Sequence, residues 1–369
     1  MRRIASWLLL TVLLFAVCTL TALAAPETSW HRETLVSDLG GYGAMTTLAV
    51  DQQLRPHVFH YGYDKVDLTH WFHDGSRWVT QTLDTNGGWY PAAACDQQNR
   101  IHISYSDGDP CGLAYGLLER GVWSFQVIEY DCCPQYSDIA VDSAGVPHVS
   151  YYACMRQEVC YATIRDSQWV TQTVEHTGDE DNKVRQTSIA VDSMGHPHIA
   201  YHHADLARAR YAWLDGSGWH HETVYDGAHT GTHLSMALDS NGAPRVAHYD
   251  TDAGRLRYSE RGETGWSTEM LDGSMWGGYY PSLVLDANDV PFIAYERLKN
   301  GDLTLAQREN VTWTYTVLDS DGTVGYFTQM VMDRFDRPHI ATTEHDARAV
   351  LYLQYGHTTR VALPIAIKP

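Results

Sequence analysis

An aspartate closing a short apolar run recurs seven times along this chain, at Asp51, Asp96, Asp142, Asp192, Asp239, Asp286 and Asp333, each 45 to 50 residues after the one before. Repetition at that period constrains the fold more than composition does. Each unit must be one supersecondary element that buries its apolar face on its neighbours. The clearest copy runs from Ile139 to Tyr151, and it returns with small changes from Ile189 to Tyr201. Proline stands five residues after the aspartate at Pro56, Pro147, Pro197, Pro244, Pro291 and Pro338; Ile101 takes its place in the remaining copy. Trp78, Trp123, Trp169, Trp219, Trp266 and Trp313 each lie 27 residues after a repeat aspartate. All length variation falls between the tryptophan and the next aspartate.

Each unit reads as four strands. One ends at the aspartate, and a Gly/Asn/Ser-rich turn leads to the Pro-His-Ile-Ala-Tyr strand. A third carries Tyr115, Tyr161, Tyr211, Tyr258 or Tyr352, and the fourth opens at the tryptophan. Short strands, even spacing and periodic aromatics predict propeller blades. A solenoid would need capping ends, whereas this chain carries a signature of closure. Trp30 to Leu35 reads as a fourth strand lacking the three before it, and the last repeat has Arg360 where tryptophan belongs. The expected fold is therefore all-β, a seven-bladed β-propeller of four-stranded blades, its ring closed by the N-terminal strand Trp30 to Val36 so that no edge stays open. The tail from Val361 to Pro369 competes for that place, but Pro364 suits a central strand poorly.

The expected domains are a signal peptide over 1–24, the propeller over 25–360 and a C-terminal tail over 361–369. Arg2 and Arg3 precede an apolar run from Trp7 to Leu23, and Ala22-Leu23-Ala24 reads as a cleavage site. A membrane anchor is the competing reading of that run. The formal charge of −19 becomes more negative once both arginines leave, which argues against nucleic acid. Cleavage implies an extracellular or cell-surface location, no membrane span in the mature chain, and surroundings that tolerate disulfides. Cys154 with Cys160 would close a short loop, and Cys111 could bridge to Cys132 or Cys133. A monomer is expected. No cofactor is expected, although acidic loop pairs such as Asp107/Asp109 and Asp250/Asp252 leave structural calcium open.

The repeat resembles those of bacterial BNR-repeat, sialidase-like propellers over roughly Trp30 to Thr359. The third-to-fourth turns, Asp74-Gly-Ser-Arg-Trp78 and Asp215-Gly-Ser-Gly-Trp219, keep the acidic residue and tryptophan of the sialidase Asp-box without its full pattern. The resemblance would also imply three arginines gripping a carboxylate, one in an Arg-Ile-Pro-like segment near the start. No such segment occurs here, which argues against sialidase activity. The tail resembles the apolar-plus-lysine ends of some bacterial exported proteins.

Residues present in every copy are expected to be structural. The aspartates should bond turn amides and the tryptophans should pack between blades. His57, His102, His148, His198 and His339 are read as pairing with a neighbouring blade rather than holding metal. Function is expected where copies differ. Six residues before the aspartates stand Met45, Tyr90, Tyr136, Gln186, His233, Tyr280 and Phe327, with Trp89, Tyr279 and Tyr326 beside them. Aromatic rings with polar edges suit sugar faces. Candidate ligand-binding residues are Trp89, Tyr90, Tyr136, His203, Tyr279, Tyr326 and Phe327. The second-to-third connections add Asp107, His202, Asp250, Glu296, Arg297, Glu344 and His345. His233, His248, Tyr280 and Arg297 are the candidate catalytic set. They resemble the active sites of seven-bladed polysaccharide lyases of the ulvan-lyase type. That resemblance implies that Arg297 neutralises a uronate carboxylate while Tyr280 or a histidine moves a proton.

The expected function is a secreted propeller that binds glycans or surface partners through its aromatic loop face. Two alternatives stay open. One is a carbohydrate-active enzyme, lyase-like or sialidase-like, acting on acidic polysaccharide. The other is a non-catalytic extracellular scaffold with a protein partner.

Overall fold

The computed structural model describes residues 29–39, 45–62, 66–108, 111–178, 185–271 and 276–356. The segment 1–24, the tail 361–369, Arg360 and Asp109 lie outside the described residues. Seven sheets follow one another around a ring, each of four antiparallel strands, with no helix among the described residues. Blade 1 is typical, with strands Met45–Val50, Pro56–Gly62, Asp67–His73 and Trp78–Asp84. Blade 7 takes three strands from the end of the chain, Val324–Met332, Pro338–Glu344 and Ala349–Gly356. Its fourth is Ser29–Val36, in register Trp30↔Tyr355 and Glu33↔Tyr352. The N-terminal strand thus closes the ring, as the unpaired Trp30 segment predicted.

The core is divided. Seven clusters of buried apolar side chains form, one at each seam between blades. Val149, Tyr151 and Leu113 pack at the blade 2–3 seam, and Leu48, Val58 and Val350 at the blade 7–1 seam. Burying each such side chain contributes about 1.5–3 kcal/mol. A ring of small cores lets a long chain fold without one large one.

The repeat residues build a relay across each seam. Asp142 Oδ1 accepts from the N–H groups of Ala144 and Val146, holding the first-to-second turn, and the other copies do likewise. In blade 2, His102 Nε2 lies 3.0 Å from Asp96, and the Tyr115 hydroxyl lies 2.7 Å from His102 Nδ1. Tyr115 then meets Trp169 of the next blade edge-on, 5.0 Å between centroids. His148–Tyr161, His198–Tyr211 and His339–Tyr352 repeat the pairing. The histidines therefore bond within their own blade, not to a neighbour as expected. The strand alternation stacks each one diagonally against the third-strand tyrosine, and the tyrosine makes the crossing. Tryptophan Nε1 donates backwards, from Trp169 to Gln126, Trp266 to Glu222 and Trp78 to Glu33.

Candidate functional site

The first strands line a central channel, and their mouth is built by a recurring irregularity. Pairing slips between Trp89 and Ala92, between Gln135 and Asp138, between Tyr279 and Ser282, and between Tyr326 and Gln329. Within those slips Tyr90, Tyr136, Tyr280 and Phe327 adopt φ of 47–52°, a conformation bulky residues rarely hold. The bulge turns these rings inward around a cavity of about 90 Å³, also lined by Met45 and Gln186. Hydroxyls tie neighbouring bulges together: Thr46 donates to the Phe327 carbonyl, Ser137 to Tyr90 and Thr187 to Tyr136. Deeper, Asp138 accepts from Ile139 and Ile189 N–H. Burial pushes its carboxyl up to about 6 against those bonds.

A glycine precedes each aromatic pair, in Gly88-Trp89-Tyr90, Gly278-Tyr279-Tyr280 and Gly325-Tyr326-Phe327. All three have φ of 113–123°. A Cβ on Gly325 would come within 2.7 Å of Glu296 Cβ, and one on Gly278 within 2.7 Å of Leu256 Cβ. Only glycine permits that approach. The Gly-aromatic-aromatic string was a signal the spacing argument passed over.

The mouth aromatics fall into two groups. Trp89 packs tilted against Tyr61 of blade 1 at 4.9 Å, and Tyr90 against Tyr136 at 4.3 Å. On the opposite side an unbroken arc runs through blades 5 to 7. His233 lies 4.5 Å from Tyr280 and 4.9 Å from Tyr279, which lies 4.4 Å from Tyr249. Tyr280 continues to Tyr326 at 5.3 Å and Phe327 at 4.8 Å, and Tyr326 reaches His345 at 5.3 Å. Tyr279, Tyr280, Tyr326 and Phe327 are half-buried, so each keeps some surface in contact with solvent.

Of the candidate catalytic set, His233 and Tyr280 are brought together. Burial, with His202 nearby, holds His233 down to about 3, so its imidazole is neutral. His248 stands apart. It is 0 % exposed in the blade 4–5 seam, with Nε2 2.9 Å from Ser259 Oγ, and burial beside Arg257 holds it down to about 3. Arg297 is half-buried and alternates to the face of its strand that carries Tyr295 at the blade 5–6 seam. His203 is buried at the end of its strand, and its Nδ1 accepts from Leu206 N–H at 3.4 Å. Burial lowers its pKa, with Glu175 and Arg210 close by. It therefore lies outside both aromatic groups.

Glu296 is the residue whose position the spacing argument could not weigh. Its backbone pairs with Tyr279 across the first two strands of blade 6. The Tyr279 ring rests on blade 5, but the Glu296 side chain enters the blade 6–7 seam and abuts Gly325. It is 0 % exposed, and neither carboxyl oxygen has a hydrogen-bond partner. Burial alone pushes it up to about 8. At the same position the other blades carry Tyr61, Ser106, Tyr152, His202, Tyr249 and Thr343. No disulfide joins two of the described cysteines. Cys154 and Cys160, expected to bridge, face opposite seams, while Cys111 hydrogen-bonds Cys133. Among the described residues no three His, Cys, Asp or Glu side chains gather as a metal site.

This architecture is that of a seven-bladed β-propeller with an aromatic-lined channel mouth. Among solved structures it is similar to the SapL1 lectin in complex with alpha methyl fucoside, at 12% identity and TM-score 0.54, covering 77% of this chain and 98% of that one. A virginiamycin B lyase from Staphylococcus aureus matches at 9% identity and TM-score 0.57, covering 89% of this chain and 99% of its own. An ulvan lyase bound to -[GlcA(1-4)Rha3S]- matches at 12% identity and TM-score 0.52, covering 87% and 96%. At these identities the likeness is one of fold. No family model matches the sequence, and no curated protein matches it.

Proposed function

We propose that this chain is an exported glycan-binding propeller of degenerate BNR type whose binding surface is the aromatic arc of blades 5 to 7. The observation that carries the reading is the continuity of that arc, from His233 through Tyr279, Tyr280 and Tyr326 to Phe327. Saccharides lay apolar C–H faces on such rings while their hydroxyls bond polar edges. The fold-level likeness to a lectin supports it. Trp89 and Tyr90, with Tyr61 and Tyr136, form a smaller second surface. Export rests on the segment 1–24, and no helix among the described residues is long and apolar enough to cross a membrane. In an oxidising compartment Cys111 would bridge to Cys133, a reading that the contact between the two thiols supports. Binding of the mature chain to an immobilised panel of neutral, amino and uronate glycans tests the reading. Selective binding weakened by Tyr326→Ala supports it. No binding across the panel would leave a scaffold with a protein partner.

A second reading is eliminative cleavage of a uronate polymer. Its support is the 4.5 Å approach of His233 to Tyr280, with Arg297 on the adjoining strand of blade 6. Arg297 would neutralise the carboxylate, and Tyr280 would move the proton. Reducing-end release from a uronate polymer, lost in Arg297→Ala, is its test. Release that survives Arg297→Ala would sink this mechanism.

A further inference from the structure

Glu296 is costly where it stands. A carboxyl removed from water with no donor destabilises the fold, and a neutral side chain such as the Thr343 of blade 7 or the Tyr249 of blade 5 would avoid that cost. The carboxyl occurs in one blade of seven, and that blade lies within the arc. The Glu296 Cβ lies against Gly325, the residue before Tyr326, and the carboxylate charge is felt by Tyr326. No arginine, lysine or histidine offsets it among the described residues; burial is the sole influence on it. Arg297 turns to the other face of the strand, and His345 stands at the far end of the arc. The site therefore has aromatic faces with their negative quadrupole and a latent negative charge behind them that no cation offsets. Those are the components that recognise a positively charged nitrogen.

We propose that the arc of Tyr279, Tyr280, Tyr326 and Phe327 takes a glycan unit bearing a free amine, an amino sugar in its ammonium form, with Glu296 as its counter-charge. This rests on the glycan-binding reading and narrows it to one substrate class. The net charge of −19 would also draw a polycationic glycan toward the chain and repel a polyuronate. At neutral pH Glu296 is largely protonated, because burial holds it near 8. A bound ammonium favours the carboxylate. Binding therefore proceeds as ammonium plus carboxylic acid giving an ammonium–carboxylate pair, with the acid proton released to solvent. No bond to the sugar forms or breaks.

The test is titration calorimetry at pH 7 in two buffers of different ionisation enthalpy. The probes are a glucosamine tetramer with free amines, the fully N-acetylated tetramer of the same linkage, and a uronate tetramer. The expected result is at least about tenfold tighter binding of the free-amine tetramer, accompanied by release of up to one proton. In Glu296→Gln the proton release disappears, and the difference between the two glucosamine tetramers shrinks to the part the rings alone supply. Glu296→Thr, which copies blade 7, should behave alike and guards against a defect peculiar to the amide. Equal binding of the two tetramers by the unaltered protein, or binding without proton release, overturns this inference and leaves the glycan reading standing. Silence toward all three tetramers also overturns this inference, and the glycan reading then stands or falls on the wider panel.

Discussion

Tyr279 of blade 6 lies 4.4 Å, centroid to centroid, from Tyr249 of blade 5, so the surface ring of one blade rests on a buried ring of the next. The contact holds Tyr279 at a fixed angle without covering its outer face. Tyr279→Ala should therefore weaken glycan binding by about 1–2 kcal/mol, roughly five- to thirtyfold, by loss of a stacking face. Its melting temperature should fall only slightly, because the ring is half-buried. Trp89→Ala, on the other side of the mouth, should leave that site's affinity within twofold. Affinity and melting measured on both variants check the claim, and equal losses from both would remove the arc's special status.

Glu296 makes stability depend on pH in the direction opposite to an ordinary paired carboxylate. Its pKa is raised in the fold to about 8, so between its usual 4.5 and 8 the folded state holds a proton that the unfolded state has lost. Stability is then fully present below 4.5 and declines as pH rises toward 8, by up to about 1.4 kcal/mol per pH unit. Urea unfolding from pH 5 to 8 should reveal this slope in the natural chain and a flatter one in Glu296→Gln. Parallel slopes would mean that Glu296 is ionised and partnered.

Asp333 works the other way. Burial opposes its ionisation, but bonds from His339, Arg337 and turn N–H groups outweigh that and hold its pKa far below the ordinary value. Its contribution is present above the unfolded carboxylate value and is lost as pH falls below it. Asp333→Asn should lower stability at pH 7 by about 1–3 kcal/mol, a deficit that narrows on titration toward pH 3. A deficit constant from pH 7 to 3 would assign the loss to packing instead.

The repeat made most of this fold legible. Asp142, Trp169 and their copies recur because every seam needs the same turn and the same crossing, so period alone reveals them. The closing strand was legible because Trp30 has no three strands ahead of it. What stayed hidden depends on which seam a side chain enters. His248 and Tyr249 are adjacent in sequence, yet one is enclosed between blades 4 and 5 while the other supports the arc. Alternation separates them, but only the assembled ring says which side has the ligand face. Glu296 reads as one more polar rim residue until Gly325 of the next blade is brought against it. Its isolation is a property of two blades together and has no local signature.

Closure can be tested directly. The strand Ser29–Val36 supplies the whole fourth edge of blade 7, with Trp30 packed on the blade 6–7 cluster and Arg32 2.5 Å from Asp319 of blade 6. Across the other seam Glu33 accepts from Trp78 Nε1 of blade 1. Deleting 29–36 removes contacts on both sides of one blade and leaves the Ala349–Gly356 strand as an open edge. Native stability is only about 5–15 kcal/mol, and the loss of so many seam contacts should consume most of it. The truncated chain should melt early, unfold without a single cooperative transition, and aggregate through the exposed strand. Supplying the 29–36 segment as a peptide should restore part of the melting temperature, because the vacant edge is preformed by its neighbours. A truncation that melts with the intact chain would show that another segment closes the ring.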